Sequence, residues 1–412
     1  MKDIKKARIN LYKNFDKLIN SFETIDEIIK FQMLLGLNII KAEKEISNEN
    51  NSEEWKDHIQ KIYSIGDSLV WSFLDSFTIR QLGKYEAVKT SLLQQSDVFL
   101  NLIVSYLQEN KQTIYIFSDI TRCLTVGDAI EALAPDKVII QESKSSSPKN
   151  PTFEKLLRGR EGRQFSKAFW LSRFFEEGFE KLYGYDKPVK TIEVNVDQSY
   201  HFNLIPELID ECLKKDKGTS FIQAEPGVIY IAQDTEKEMN ENVMKKVQEL
   251  DFEFETTAIS STARLIEMDR ETIFHYPPLV FPIPLKYRIL LNEVDINIIC
   301  LVSRNYIREI TKKYGYTYSE NENGFPQLTK NKETKTFHMR FLNNILINFY
   351  AVSGVIENMV QLFDNLKTDS LNINEKNYIK DRPKSKSNFI EFLKNNYNIV
   401  NKNNYINIFK KE

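Results

Sequence analysis

The stretch from Ile114 to Lys144 constrains this chain most, because three short β-rich runs lie close together within it. Apolar and β-branched residues dominate each run, and the spacing predicts three neighbouring strands of one sheet. The runs are Thr113–Phe117, Leu124–Ile130 and Lys137–Glu142.

Two carboxylates and a lysine stand near the ends of the second and third predicted strands. Asp128 is followed fourteen positions later by Glu142, and Lys144 comes after one further residue. Glu142 and Lys144 share one face, because successive strand residues alternate faces. Two carboxylates that meet at strand ends suit Mg²⁺, a hard cation that prefers oxygen ligands. A lysine beside them can orient or help to deprotonate a water and can stabilise charge on a phosphate.

A structural interpretation stays open for these residues. Asp128 can cap or end a turn after Gly127. Glu142 and Lys144 can form the solvated end of a strand that enters the serine-rich loop 145–147.

Asp128 together with Glu142-Ser143-Lys144 resembles the motif of the PD-(D/E)xK nucleases, the restriction-endonuclease-like superfamily. The family core runs helix, three meandering strands, helix, strand, and this chain is predicted to follow that order over roughly residues 110–200. Gly127 stands where the family has proline. The flanking elements are predicted at Ser91–Leu107, Gln164–Tyr183 and Val189–Val196.

The resemblance implies an α/β fold, in which a restriction-endonuclease-like core with a mixed central sheet flanked by helices lies between a helical N-terminal part and an α+β C-terminal part. It implies a nuclease that uses Mg²⁺ or Mn²⁺, with Asp128 and Glu142 as metal ligands and Lys144 as a catalytic residue. Gln164 is similar to a glutamine that projects into the site in some of these families. A further family acid has no unambiguous match. Asp67 is one candidate, although its position also predicts a charge at a helix N-terminus.

A local excess of positive charge follows the motif. Residues 144–173 hold eight basic and two acidic side chains, although the whole chain has a formal net charge of −2. Guanidinium groups suit phosphate because they present a bidentate fork. The predicted nucleic-acid contacts are Arg158, Arg160, Arg163 and Lys167, and a solvated helix face is the alternative.

The length of 412 residues allows several domains. The expected regions are 1–110 (helical), 111–200 (nuclease core), 201–340 (an α+β accessory region) and 341–412 (a helical region with a tail). A hairpin is predicted around Glu225-Pro226-Gly227, a polar loop at Asn321–Lys335 and a long helix at Phe341–Leu366.

Other classes find little support in the sequence. Three scattered cysteines without a CxxC pair argue against a zinc or disulfide framework and indicate the cytoplasm. No GxGxxG, GxxxxGK[ST] or GxSxG motif occurs, so any motor would be a separate protein. No membrane segment or secretory signal is expected.

The predicted partner is nucleic acid, with DNA preferred, and both a homo-oligomer and a separate partner protein stay open. By family analogy, a nuclease without a motor suits bacterial restriction or anti-phage defence. The alternative is a non-catalytic scaffold or partner-binding protein that keeps a nuclease-like fold.

Overall fold

The computed structural model describes two compact units. Unit 1 comprises Met1–Thr191 and Leu371–Glu412, and unit 2 comprises Ile192–Ser370. The division into four regions that the sequence predicts stays a prediction. The described residues are 2–48, 52–83, 91–108, 113–141, 160–180, 189–190, 196, 199–214, 218–249, 257–266, 275–365, 389, 391–392, 395, 397–402 and 405–410.

Helices build most of unit 1, as the apolar periodicity of its N-terminal part predicts. In α2, buried Ile28, Leu35 and Ile39 recur at helical spacing and face the core. Asp75 caps α4, where its carboxylate accepts hydrogen bonds from the amides of Phe77 and Thr78 at 2.7 and 2.8 Å. The helices are α1 (Lys2–Ser21), α2 (Ile25–Ser47), α3 (Ser52–Phe73), α4 (Ser76–Leu82), α5 (Ser96–Gln108) and α6 (Arg160–Glu177).

The three predicted strands form one antiparallel meander in the order β1-β2-β3. Phe117 pairs with Ala129, and Ala129 pairs in turn with Gln141. The strands are β1 (Ile114–Phe117), β2 (Ala129–Ala134) and β3 (Lys137–Gln141). The second strand was predicted too early, at Leu124–Ile130. The chain cannot extend regularly there, because Gly127 has a φ of +80°.

The mixed central sheet predicted from the resemblance is wrong for the described residues, whose strand pairs are all antiparallel. A side chain covers the outer edge of β1. The Gln32 amide of α2 donates to the Tyr115 carbonyl at 2.7 Å and accepts from the Phe117 amide at 2.9 Å. These are bonds that a further strand would make. The predicted strand Val189–Val196 is described at 189–190 and 196, where β5 (Val189–Lys190) pairs with β4 (Phe179–Glu180).

Unit 2 is built on a four-stranded antiparallel sheet in the order β6-β7-β9-β8. The predicted hairpin is confirmed, since β6 and β7 pair on either side of Pro226 and Gly227. One face packs on a large core that includes Tyr230, Phe281 and Phe349. The strands are β6 (Thr219–Glu225), β7 (Val228–Asp234), β8 (Thr257–Ser261) and β9 (Ile296–Ser303).

Helices and a small sheet complete unit 2. The helices are α7 (Ile205–Leu213), α8 (Glu241–Glu249), α9 (Leu285–Asn292), α10 (Arg304–Lys313), α11 (Arg340–Leu346) and α12 (Val352–Asn365). The small sheet consists of β10 (Thr317–Glu320), β11 (Pro326–Lys330) and β12 (Glu333–Thr336), and a hairpin in unit 1 pairs β13 (Tyr397–Lys402) with β14 (Tyr405–Lys410).

Two predictions in unit 2 are wrong. The polar stretch Asn321–Lys335 was expected to be a loop, but it contains β11 and part of β12. The single helix expected at Phe341–Leu366 is two helices, because the chain turns between α11 and α12. Phe349 has a φ of +57° in that turn, a conformation that a helix does not contain. No described helix is long and apolar enough to span a membrane.

Candidate active site

Asp128 lies directly before β2, at the end of the meander where β1 and β3 also end. Its amide donates to the Gln141 carbonyl at 2.8 Å, and its carbonyl accepts from the Ser118 amide at 3.0 Å. The Asp128 side chain is half-buried. The backbone therefore fixes this acid across from the last described residue of β3.

Gly127 explains how the chain turns into this position. A Cβ atom there would lie 2.7 Å from Ile140 Cγ2 and 3.1 Å from the Gln141 carbonyl oxygen. The residue also has a positive φ, so a side chain at this position would be strained. Glycine therefore suits this point of close approach between strands.

The other predicted site residues are described in part or not at all. Glu142, Lys144 and Arg158 lie outside the described residues. Positions 160, 163 and 164 belong to the first turns of α6, and the half-buried Lys167 follows in the next turn. Helix α6 packs against β3, the strand that precedes Glu142 in the sequence. This helix carries the predicted phosphate contacts Arg160, Arg163 and Lys167, together with Gln164.

A chain of polar side chains supports the same end of the sheet. The Tyr106 hydroxyl of α5 donates to Gln141 Oε1. Gln141 Nε2 donates to Glu131 at 2.9 Å, and Glu131 accepts from Thr113 Oγ1 at 2.7 Å. These contacts join α5, β2 and β3 immediately before the predicted metal ligand at position 142. Local sequence patterns carry no signal for these contacts, because the partners lie between 10 and 35 positions apart in the chain.

Asp67 is neither a helix-terminal charge nor an open ligand. It lies in the last third of α3 and is almost fully buried, at 2% exposure. Its carboxylate accepts from the Arg122 amide and Nε, both at 2.6 Å, and from the Cys123 amide at 3.0 Å. The prediction of an N-terminal charge was wrong because α3 begins much earlier, at Ser52. Asp67 anchors the loop between β1 and β2.

The same loop packs tightly on α3. A Cβ atom at Gly66 would lie 1.9 Å from the Ile120 carbonyl oxygen, so only glycine permits this approach. Burial raises the pKa of the nearby Tyr63 phenol, and the negative charges of Glu43, Asp119 and Asp67 add to the shift.

Further charged groups in unit 1 are already used by the fold. Glu43 accepts from Ser91 Oγ at 2.8 Å and from the Leu93 amide at 2.6 Å. Arg173, at the end of the predicted basic segment, forms ion pairs with Glu176 and Glu177 at 3.0 and 2.7 Å. Within the described part of the chain, no group of three or more His, Cys, Asp or Glu side chains is placed to hold a metal ion.

Unit 2 contains a second polar cluster around Glu225. Its carboxylate accepts from His201 Nε2 at 2.8 Å, from the Tyr306 hydroxyl at 3.0 Å and from the Val352 amide at 3.0 Å. Burial tends to raise the pKa of Glu225. The hydrogen bonds from His201, Val352 and Tyr306 and the attraction of His201 outweigh burial and lower it. The sequence indicated only a turn here, since the partners are distant in the chain.

Comparison with known proteins adds no relative to these observations. No protein-family model, curated protein or solved structure matches this chain.

Proposed function

We propose that this protein is a Mg²⁺- or Mn²⁺-dependent nuclease that hydrolyses phosphodiester bonds of nucleic acid, with DNA as the preferred substrate. One observation carries the proposal. Asp128 stands at the end of an antiparallel meander, and its amide binds the carbonyl of Gln141, the residue directly before Glu142. Glu142 follows Gln141 directly in the sequence, so the proposal puts the two metal ligands at adjoining strand ends.

The donor chemistry at this strand end fits a divalent ion of the magnesium type. Asp128 offers a half-buried carboxylate, and Glu142 is the second carboxylate that the proposal requires. Oxygen ligands with remaining water positions are what Mg²⁺ accepts. Asp67 does not complete the set, because Arg122 and Cys123 already bind it.

Each residue then has a distinct role in hydrolysis. Asp128 and Glu142 would hold the ion, which supplies Lewis acidity and an activated water when bound. Lys144 would orient the attacking water and stabilise the charge that develops on phosphate. Gln164 would assist at the site, while Arg158, Arg160, Arg163 and Lys167 would bind the phosphate backbone.

A role in bacterial restriction or anti-phage defence extends the proposal by analogy with nucleases that lack a motor. Such a protein would act in the cytoplasm on foreign DNA. Its partner would be nucleic acid. The protein would act on it as a homo-oligomer or together with a separate partner protein.

A non-catalytic scaffold or partner-binding protein is the second candidate, and one observation favours it. Asp67 is the candidate for the further acid of the family, and it already forms a buried ion pair with Arg122 at 2.6 Å. A fold that retains the meander without a complete set of acids would bind partners and not cleave nucleic acid.

Nicking of supercoiled plasmid in Mg²⁺ or Mn²⁺ separates the two candidates. We expect the wild type to nick and Asp128→Asn to be slower by roughly a hundredfold or more, because a metal-binding charge is lost. The matched control is Asp136→Asn, which changes an exposed acid in the turn between β2 and β3 and should nick normally. A wild type without metal-dependent nicking favours the scaffold.

A further inference from the structure

We propose that unit 2 contains a second reactive site, in which the imidazole of His201 acts as a general base through its Nδ1 atom. The site consists of His201, Glu225, Tyr306 and Tyr230. Its substrates are neutral aryl esters, and the reaction is hydrolysis. The site uses no metal ion and does not depend on the nuclease proposal for unit 1.

Glu225 determines which nitrogen of His201 carries the proton. The carboxylate lies 2.8 Å from His201 Nε2. It is ionised, because burial, which would raise its pKa, is outweighed by the hydrogen bonds that it accepts. An ionised carboxylate only accepts, so Nε2 of the neutral ring carries the proton and Nδ1 has a free lone pair. The His201 side chain is 16% exposed, so a small molecule can reach it from solvent.

Further contacts hold this pair in place. The Tyr306 hydroxyl donates to the other oxygen of Glu225 at 3.0 Å, and the His201 amide donates to the Phe349 carbonyl at 2.8 Å. Burial and the charge of Glu225 raise the pKa of Tyr306, so the phenol keeps the proton that it donates. A carboxylate that orients an imidazole and stabilises its protonated form prepares a histidine for proton transfer.

Tyr230 is a second and independent sign of a bound group. Its ring centre lies 6.0 Å from that of His201, and its side chain is fully buried, at 0% exposure. Its hydroxyl has no hydrogen-bond partner among the residues that the structure describes, which costs free energy. Burial, together with nearby Cys300 and Glu225, raises the pKa of Tyr230. The phenol therefore stays protonated and can donate to a substrate oxygen.

The surroundings favour a neutral substrate with an aromatic group. The negative charges of Glu225 and Glu309 both act on Tyr306, and a negative potential disfavours an anionic substrate. Tyr200, which directly precedes the histidine, is 41% exposed, and its ring stacks on Phe202 with the centres 5.8 Å apart. An exposed ring that is held in this way suits an aromatic substrate group. An aryl ester combines these properties with a carbonyl that water can attack.

Hydrolysis of such an ester balances without a cofactor. Nδ1 of His201 takes a proton from water while the water oxygen bonds to the carbonyl carbon. Tyr230 donates a hydrogen bond to the oxygen on which negative charge develops. The bond between the carbonyl carbon and the aryl oxygen then breaks, and the phenolate leaves with the electron pair. The imidazolium returns its proton to the solvent.

Hydrolysis of p-nitrophenyl acetate by the full chain tests this assignment, with EDTA present to suppress any metal-dependent reaction. We expect His201→Gln to lower kcat by about a hundredfold, as for the loss of a general base. The matched control is His338→Gln, which changes an exposed histidine of the same unit and should keep the wild-type rate. Equal rates in the wild type and His201→Gln would overturn the proposal.

Tyr230→Phe separates catalysis from folding, because it removes only the hydroxyl. This variant should unfold at the wild-type temperature or higher, since a buried group without a described partner is lost. It should also lower kcat by about a hundredfold, as for the loss of one donor to a developing oxyanion. A folded Tyr230→Phe variant with the wild-type kcat would overturn the proposed site.

Glu225 is a positioning residue, and the split between kcat and KM tests this role. Glu225→Gln should lower kcat per folded molecule and leave KM unchanged, because the carboxylate acts on the imidazole and not on the ester. An unchanged kcat per folded molecule would reduce Glu225 to a structural residue and overturn its positioning role. Mass spectrometry of the quenched wild-type reaction should find no acetyl group on His201. An acetylated imidazole would contradict general-base catalysis, because it would make His201 a nucleophile.

Discussion

Asp128 in unit 1 and Glu225 in unit 2 both stand at the end of a strand, yet their surroundings differ. Glu225 ends β6, and donors from three other parts of unit 2 fill its oxygens. Asp128 precedes β2, and its backbone amide and carbonyl bind β3 and the end of β1. Position at a strand end therefore does not by itself make an acid a metal ligand, because the carboxylate of Glu225 instead accepts hydrogen bonds within unit 2.

Asp67 extends the comparison, because it is a second acid whose oxygens are already bound. Its partner Arg122 carries a permanent charge, whereas Glu225 relies on an imidazole, a phenol and an amide. We therefore expect the loss of Asp67 to cost more than the loss of the charge at Glu225. The effects below are ordered from the largest to the smallest.

Asp67→Ala should lower the stability of unit 1 by about 3–5 kcal/mol, because it leaves Arg122 buried without its partner. Hydrogen exchange of peptides from α3 and the β1–β2 loop measures this change locally, which suits a chain of two units. Asp136→Ala, in an exposed turn, is the control and should change stability by less than about 0.5 kcal/mol. Equal exchange in the two variants would contradict the anchoring role.

Glu225→Gln should lower the stability of unit 2 by about 1–3 kcal/mol, because three donors lose a charged acceptor. Hydrogen exchange in β6 and at the start of α12 should increase, while peptides of α3 stay unchanged. Glu236→Gln changes an exposed glutamate after β7 and serves as the control. If Glu225→Gln exchanged like the wild type, the cluster would not hold unit 2 together.

Tyr306→Phe removes one donor to Glu225 and leaves His201 and Val352 in place. The expected cost is about 0.5–1.5 kcal/mol, as for a single hydrogen bond. Chemical denaturation followed by hydrogen exchange in α10 measures it. A cost as large as that of Glu225→Gln would mean that the Tyr306 hydroxyl carries most of the network.

The pH dependence of unit 2 should be the smallest effect. The folded state lowers the pKa of Glu225, so its contribution is complete above the ordinary value of 4.5 and is lost as the pH falls below it. The protection of β6 peptides in the wild type, corrected for the slower intrinsic exchange in acid, should therefore fall on acidification. Glu225→Gln should lack this component, and an identical acid response in both proteins would assign it to other groups.

Local signals predicted much of the secondary structure. Apolar periodicity indicates the N-terminal helices, and turn residues at Glu225-Pro226-Gly227 mark the β6–β7 hairpin. Strands β11 and β12 were not predicted, because β12 contains only Glu, Thr and Lys residues and β11 has Leu328 as its one apolar side chain besides Pro326. The break at Phe349 carries no glycine or proline signal.

The site was harder to predict because its contacts are long-range. Asp67 and Arg122 lie 55 positions apart, and Glu225 and Val352 lie 127 apart. Side-chain periodicity cannot indicate such pairs. The shift of Asp128 out of β2 depends on the φ of Gly127, which the sequence permits but does not require. Metal binding by Asp128 and Glu142 could be proposed from residue types, while the ion pair between Asp67 and Arg122 could not.

Calorimetry of Mn²⁺ binding to the wild type tests the central claim most directly. The account predicts that the wild type binds the ion and that Asp128→Asn and Glu142→Ala lose affinity, because each removes a carboxylate ligand. Lys144→Ala should keep or slightly gain metal affinity, since a nearby positive charge is removed, yet lose cleavage. A wild type that binds no divalent ion, with and without nucleic acid present, would contradict the proposed active site.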